Sequence, residues 1–379
     1  MKLLFAGDVF ITKPEQFILE PSLQKFINAH EVACCNFEGP VESKSLPILK
    51  RGINLYQSKR TPKKLAAYGF NLISLANNHI MDYGRQGLND TIQDFKNLGI
   101  PVFGAGFSDE QIYAPHYINT GNKKIAVLAL CQGEFGVKKM HKAGVSGYAW
   151  ISEPNLKNII PKIKKNVDIL IILAHAGLED VPYPLPEWQE RYRCFIDLGA
   201  DYVIGNHPHV IQGYEEYKNK FICYSLGNFI FDDENDEGDE YRRSLIVSID
   251  TDKQDHKIVP VKFSGGFIEF DNSQQTLQDI RERSALLKDA KKLENWANSI
   301  SEKLWKEHYQ SYYELYNGQF VSDASYIVLI KAIIKKMLRY KKLSPVFDDT
   351  MLLHNIQIET HRWVVERYLY NQNIERNGL

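Results

Sequence analysis

The sequence predicts an α/β protein: a two-sheet sandwich with helices on its faces, followed by a helical C-terminal region. Three observations predict it. Short apolar runs alternate with segments of helical spacing over roughly the first two hundred residues, the rhythm of βαβ units around a parallel-centred sheet. Paired apolar runs separated by turn residues follow, which is the pattern of antiparallel hairpins. Beyond residue 272 the chain becomes rich in Lys, Glu and Leu at helical spacing.

The strand segments are Leu3–Ala6, Val32–Asn36, Leu72–Leu75, Ile125–Leu130, Ile169–Leu173 and Tyr202–Ile204. Each is a continuous apolar run of strand length, as expected where a strand is buried on both faces. Between them, Pro62–Tyr68, Arg85–Asn97, Pro154–Lys164 and Glu187–Leu198 carry helical spacing. "YEEYKNKFICYSLGN" predicts a hairpin turning at Lys218–Lys220, and Ser244–Asp250 with Ile258–Phe263 predicts another around "TDKQDHK". The later strands are therefore expected to be mainly antiparallel. Helices are expected over Ser273–Tyr316, Ser322–Tyr340 and the closing "MLLHNIQIETHRWVVERYL", so the division falls at 1–272 and 273–379. Trp296, Trp305, Tyr309 and Tyr313 sit at helical spacing and read as packing contacts, and His354 and His361 as structural.

Chemistry concentrates where the apolar runs end. "DYVIGNHPHVIQGY" places His207 and His209 two apart, after Gly205 marks a turn out of the strand. On an extended backbone residues i and i+2 face the same side, at a strand end where α/β sheets build their sites. Four more runs end in polar residues: Asp8; Asn36 and Glu38; Asn77, Asn78 and His79; His175 and Glu179. A single polar residue after a strand is usually a turn-former or a cap. Five strand ends tipped with Asp, Glu, Asn or His point instead to shared metal binding by Asp8, Glu38, Asn78, His175, His207 and His209. Asn36, Asn77 and Glu179 are secondary candidates, for metal or substrate contact.

The ordered series GD, NFEGP, LANNH, HAGLE, GNHPHV and YSLGNF resembles the CapA family of poly-γ-glutamate capsule synthesis proteins, itself similar to calcineurin-like metallophosphoesterases. The resemblance covers residues 1 to about 235 and implies an αββα sandwich holding two divalent ions, Mn, Zn, Fe or Co. It implies that Asp8 and His209 serve one ion, Asn78, His175 and His207 the other, with Glu38 bridging and His79 acting near the leaving group. One position departs. The superfamily usually carries a His two residues after the first Asp, where this chain has Phe10, so the first ion site is expected to be weak, with Asn36 or a water filling the gap. The segment after YSLGNF returns toward the site in the family, which makes Arg242 and Arg243 candidates for an anionic substrate. The acidic run they close, residues 232–243, otherwise reads as a solvated loop.

Nitrogen and oxygen ligands without thiolate suit catalytic transition ions rather than a structural zinc. Two such ions can clamp both oxygens of an in-line displacement and generate hydroxide at neutral pH. Asp8 and Glu38 offset only half of the pair's charge, and the surplus suits a phosphate ester. The same surplus polarises an amide carbonyl, so γ-glutamyl amide hydrolysis or transfer stays open, as does a non-catalytic role in polymer assembly, which Phe10 favours.

The net charge of −1 provides no general attraction to nucleic acid, and no run approaches the roughly 20 apolar residues of a membrane span. Asp8 lies too close to the N-terminus for a cleaved signal peptide, so a cytoplasmic protein is expected. Five cysteines without metal or redox spacing read as reduced and mostly buried. The Pro-rich "VPYPLPEW" reads as a cleft wall or a stiff connector. An anionic small molecule or polymer is the expected ligand. The C-terminal helices are expected to pack on the sandwich or on a second subunit, and the basic "KAIIKKMLRYKK" reads as a solvated helix face.

Overall fold

The structure, a computed structural model, describes residues 1–140, 146–232, 238–310, 313 and 349–377. It divides into two compact units, Met1–Glu294 and Asn295–Leu379. In the first, one sheet runs in the order Ile18–Leu19, Phe267–Phe270, Asp255–Ser264, Arg243–Asp250, Lys2–Phe10, Val32–Phe37, Leu72–Ser74, Val102–Phe103. The other runs Tyr214–Tyr217, Lys220–Cys223, Tyr202–Asn206, Ile169–His175, Lys124–Cys131, His116–Asn119. A small third sheet joins Ala105–Gly106, Gly147–Ala149 and Val137–Lys138.

The first sheet is parallel from Lys2–Phe10 to Val102–Phe103 and antiparallel from Lys2–Phe10 to Phe267–Phe270, with Ile18–Leu19 added parallel at the edge; the second is parallel at its centre and antiparallel at its margins. The expected two-sheet α/β sandwich is therefore what the chain forms. Parallel strands are covered on both faces, and the apolar runs reflect this: Ile125–Cys131 and Leu170–Ile172 are wholly buried. One apolar core, including Leu3, Phe5, Phe37, Phe95, Ile171, Ile204 and Phe229, joins residues from both large sheets.

The helices stand within a residue or two of expectation, at Thr61–Tyr68, Gly84–Asn97, Leu156–Lys164 and Pro186–Asp197. A further helix, Pro21–Asn28, was not expected. Its start is set by Pro21 and by the Glu20 carboxylate, which accepts from the backbone N–H of Ser22 and Leu23. The hairpin turns at Lys218 and Asn219, both left-handed (φ 51° and 59°), which matches the twist of the strands it joins.

The first unit runs past the expected boundary at 272. Helix Gln274–Leu286 is fastened to the loop after the second histidine: Arg283 donates to the Ile211 carbonyl, and the Tyr214 N–H donates to Ser284 Oγ at 3.1 Å. Loss of strand pattern therefore does not mark the end of the unit.

In the second unit, Trp305 stacks on Tyr313 and Tyr368, with centroids 5.6 and 4.8 Å apart, so these three rings are packing contacts. His354 and His361 pack ring to ring. The closing segment is two helices, Asp349–Gln357 and Glu359–Asn377, not one. The stretches Ser322–Tyr340 and "KAIIKKMLRYKK", and residues 233–237 of the acidic run, lie outside the described residues. No described helix is long and apolar enough to cross a membrane. Cys34, Cys35, Cys131 and Cys223 are buried thiols and Cys194 is exposed.

Candidate metal centre

The site lies where the parallel strands of both large sheets end. Asp8 does not close its strand. A register shift lets the strand continue to Phe10, paired with Asn228–Phe231. Close approach is possible because Gly7 has no side chain: a Cβ there would lie 1.9 Å from the Gly227 carbonyl oxygen. Asp8 is fully buried and is aimed by two donors, the Asn36 amide at 2.7 Å and the His207 N–H at 3.0 Å. Burial opposes its ionisation, but His175, His209 and the His207 N–H together hold its pKa below the usual value.

The geometry of the two later histidines corrects the sequence reading. Gly205 is not a turn but a strand residue, and its missing side chain admits the Tyr224 carbonyl, 1.9 Å from where a Cβ would stand. The turn falls two residues later, with His207 at φ 96° and His209 at φ 61°. Both rings reach the site by left-handed backbone, not by alternation along a strand. Such conformations in non-glycine residues are uncommon, and they concentrate at functional sites.

Around Asp8 the side chains converge. His175 Nε2 stands 3.0 Å from Asn78 Oδ1, 3.2 Å from His207 Nδ1 and 3.8 Å from Glu38 Oε1. His209 Nε2 lies 3.8 Å from the same Glu38 oxygen, and its Nδ1 is held by Asn228 Oδ1 at 2.9 Å. Glu38 is fully buried, yet neither carboxylate oxygen has a hydrogen-bond partner. Burial and the Asp8 charge push its pKa up to about 7. His209 is also buried, which by itself lowers its pKa, but Glu38 and Asp8 push it up to about 9. A buried carboxylate with open oxygens, facing imidazole nitrogens on two sides, has the donor chemistry of a divalent-ion site. Two sets of ligand atoms lie within 4.8 Å of one another: Asp8, Glu38 and His175, and Glu179, His207 and His209. Both sets differ from the partition that the resemblance implied: His175 groups with Asp8, and His207 groups with His209 and with Glu179.

His79 belongs to a separate arrangement beside these groups. Its Nδ1 faces Asp82 Oδ2 at 2.7 Å, and Asp82 is buried and paired with Lys50 Nζ at 2.5 Å. Lys50 also approaches His79 Nδ1 to 3.2 Å. Asn36 and Asn77 are framework residues. Asn36 joins Asp8 to His175, and Asn77 bonds Asn36, the Phe37 carbonyl and the N–H groups of Gly39 and His79. Arg243 is committed elsewhere, to Asp279 at 2.6 Å and Thr276 at 3.1 Å, because helix Gln274–Leu286 packs there; Arg242 is exposed on the preceding turn.

Sequence reading missed Gln132, Glu134, Lys50, Asp82 and Asn228. Gln132 donates to Glu134 at 2.6 Å and approaches His207 Nε2 to 2.8 Å, while Glu134 accepts from Asn78 Nδ2 at 3.1 Å. These two follow the strand Lys124–Cys131, so the strand-end rule applied to a sixth run finds them. Asp82 sits three residues after His79, and Asn228 sits within YSLGNF. Lys50 carries no sequence signal.

A family model described as bacterial capsule synthesis protein PGA_cap matches residues 2–233. The chain is 33% identical over 204 residues to the capsule biosynthesis protein CapA of Bacillus anthracis, covering 52% of this chain and 49% of that protein. It is 29% identical over 248 residues to the PGA biosynthesis protein CapA of Bacillus subtilis, covering 60% and 62%. The chain thus spans half to about six tenths of the length of these relatives. Among solved structures it is similar to a 5'-nucleotidase from Candida albicans, at 11% identity and a TM-score of 0.38, covering 76% of this chain and 58% of that one. The family model takes in the strand ends that carry Asp8, Glu38, Asn78, His175, His207 and His209, and the chain belongs to the bacterial capsule synthesis PGA_cap family.

Proposed function

We propose that this chain is a metal-dependent hydrolase of capsule or surface-polymer synthesis, acting on a phosphate ester. The observation that carries the reading is Glu38: a buried carboxylate with both oxygens open, 3.8 Å from His175 and from His209. Asn78, His175 and His207 would hold one divalent ion, Asp8 and His209 the other, and Glu38 both. Ions bound there supply Lewis acidity and lower the pKa of water toward neutrality.

The remaining work falls to the chain's own groups. Asn228 fixes His209 with Nε2 toward Glu38, and Glu134 holds the Asn78 amide so that its Oδ1 faces His175. Asp82 engages His79 Nδ1, which leaves Nε2 to hold a proton and hand it to a leaving oxygen. Lys50 adds a buried positive charge beside that pair.

One observation favours a second reading. Glu134 and Glu179 stand 3.8 and 3.7 Å from His207 Nε2, so four carboxylates surround the site, not two. Four negative charges would cancel those of an ion pair and remove the surplus that suits a phosphate. A neutral carbonyl, as in a γ-glutamyl amide, fits that balance.

Elemental analysis of the purified chain, with a panel of phosphate esters set against γ-glutamyl peptides, tests both. Transition ions with turnover of an ester are expected. Turnover of peptides alone selects the second reading, and absence of ions after reconstitution with Mn²⁺ or Zn²⁺ sinks both.

A further inference from the structure

We infer that Glu179 is a further protein ligand of the ion site, grouped with His207 and His209, in a chain whose Phe10 offers no ligand. This rests on the metal-dependent reading above. Phe10 is buried against Phe231 at 5.1 Å between ring centroids, and Phe231 packs on His209 at 4.9 Å. That side of His209 is therefore a hydrocarbon wall. Asn36, expected to fill the gap, directs its Nδ2 at Asp8 Oδ1 and acts there as a donor.

Glu179 has the position and the chemistry. Its carboxylate, His207 and His209 bring their ligand atoms within 4.8 Å of one another, with Oε1 at 3.7 Å from His207 Nε2. Ligands bonded to one ion at about 2.0–2.2 Å lie roughly 3–4 Å apart, so a small shift of one side chain closes the group. The Glu179 side chain is half exposed and free to make it. Its backbone is fastened to the turn that carries the histidines. The Asp180 N–H donates to the Pro208 carbonyl at 3.1 Å, and the Gly177 N–H donates to Gln132 Oε1 at 3.2 Å. Gly177 also packs so closely on Pro208 that a Cβ would lie 2.6 Å from its ring. Glu179 is thus held on a loop that touches the turn carrying His207 and His209, and it brings a carboxylate to their ligand atoms.

The test uses the full chain. Mn²⁺ stoichiometry and affinity are measured by elemental analysis and titration calorimetry, and the Co²⁺ absorption spectrum reports coordination. Wild type, Glu179→Gln and Asp180→Asn are compared, the last removing the same charge one residue away. Two ions in wild type, one of them lost or bound at least tenfold more weakly in Glu179→Gln with an altered Co²⁺ spectrum, and both kept in Asp180→Asn, are expected. A Glu179→Gln protein that keeps the wild-type stoichiometry, affinity and spectrum overturns the assignment and leaves the hydrolase reading standing. Equal losses in the two variants overturn it also, because long-range charge then explains the effect. A wild type that binds no ion overturns both.

Discussion

Replacing Glu38 by Gln should move stability in opposite directions with and without metal. In the ion-free protein both Glu38 oxygens are buried without a hydrogen-bond partner, and burial with the nearby Asp8 charge lifts its pKa from 4.5 to about 7. A carboxyl whose folded pKa lies above its unfolded value destabilises the fold increasingly as pH rises between the two values, and fully above the upper one. At about 1.4 kcal/mol per pH unit, ionised Glu38 costs the ion-free protein on the order of 3 kcal/mol at about pH 8. Gln keeps the volume and removes the charge, although it also gives up the attraction of His175 and His209. At roughly 2–4 °C per kcal/mol, the variant should melt up to about 10 °C higher than wild type in chelator. With metal the order changes. Ions at about a hundred times their Kd stabilise wild type by roughly 2.7 kcal/mol per site, a gain that Glu38→Gln should largely lose. Thermal melts of both proteins at about pH 8, in chelator and in Mn²⁺, read both movements. A variant less stable than wild type in chelator, or one with an undiminished metal-induced shift, refutes the argument that Glu38 is an open ligand.

His79→Ala should lower turnover by about 10²–10⁴-fold while ion content stays at the wild-type value, because His79 is bonded to Asp82 rather than to the ligand set; loss of ions in step with His175→Ala would make it a ligand instead. Gly205→Ala should destabilise the protein by more than about 3 kcal/mol in denaturant unfolding, since the added Cβ would lie 1.9 Å from the Tyr224 carbonyl oxygen. A near-wild-type midpoint would show that the two strands can part there without loss. Truncation after Glu294 should give a folded fragment by gel filtration and circular dichroism. Truncation after Asn272 should give an aggregating one, because it removes Arg283 and Ser284 from the loop at Ile211–Tyr214. Equal behaviour of the two fragments would return the boundary to 272.

Local sequence determined the secondary elements and the pool of reactive side chains. Runs such as Ile169–Leu173 and Tyr202–Ile204 are apolar because parallel strands are buried on both faces, and that condition is written in the residues themselves. The polar residues that end those runs were legible for the same reason, since a buried strand can present polar groups cheaply only where it emerges. Tertiary structure decided what those residues do to one another. His207 and His209 converge through left-handed backbone, on a strand whose Gly205 touches Tyr224 across nineteen positions of chain. Arg243 is drawn from the site by Asp279, Lys50 is brought beside Asp82 by a loop without a motif, and Glu179 is carried to His209 by the contact of Asp180 with Pro208. Spacing along the chain cannot encode these, because hydrogen-bond and ion-pair energies depend on distances of a few ångströms between residues that only the packed core brings together.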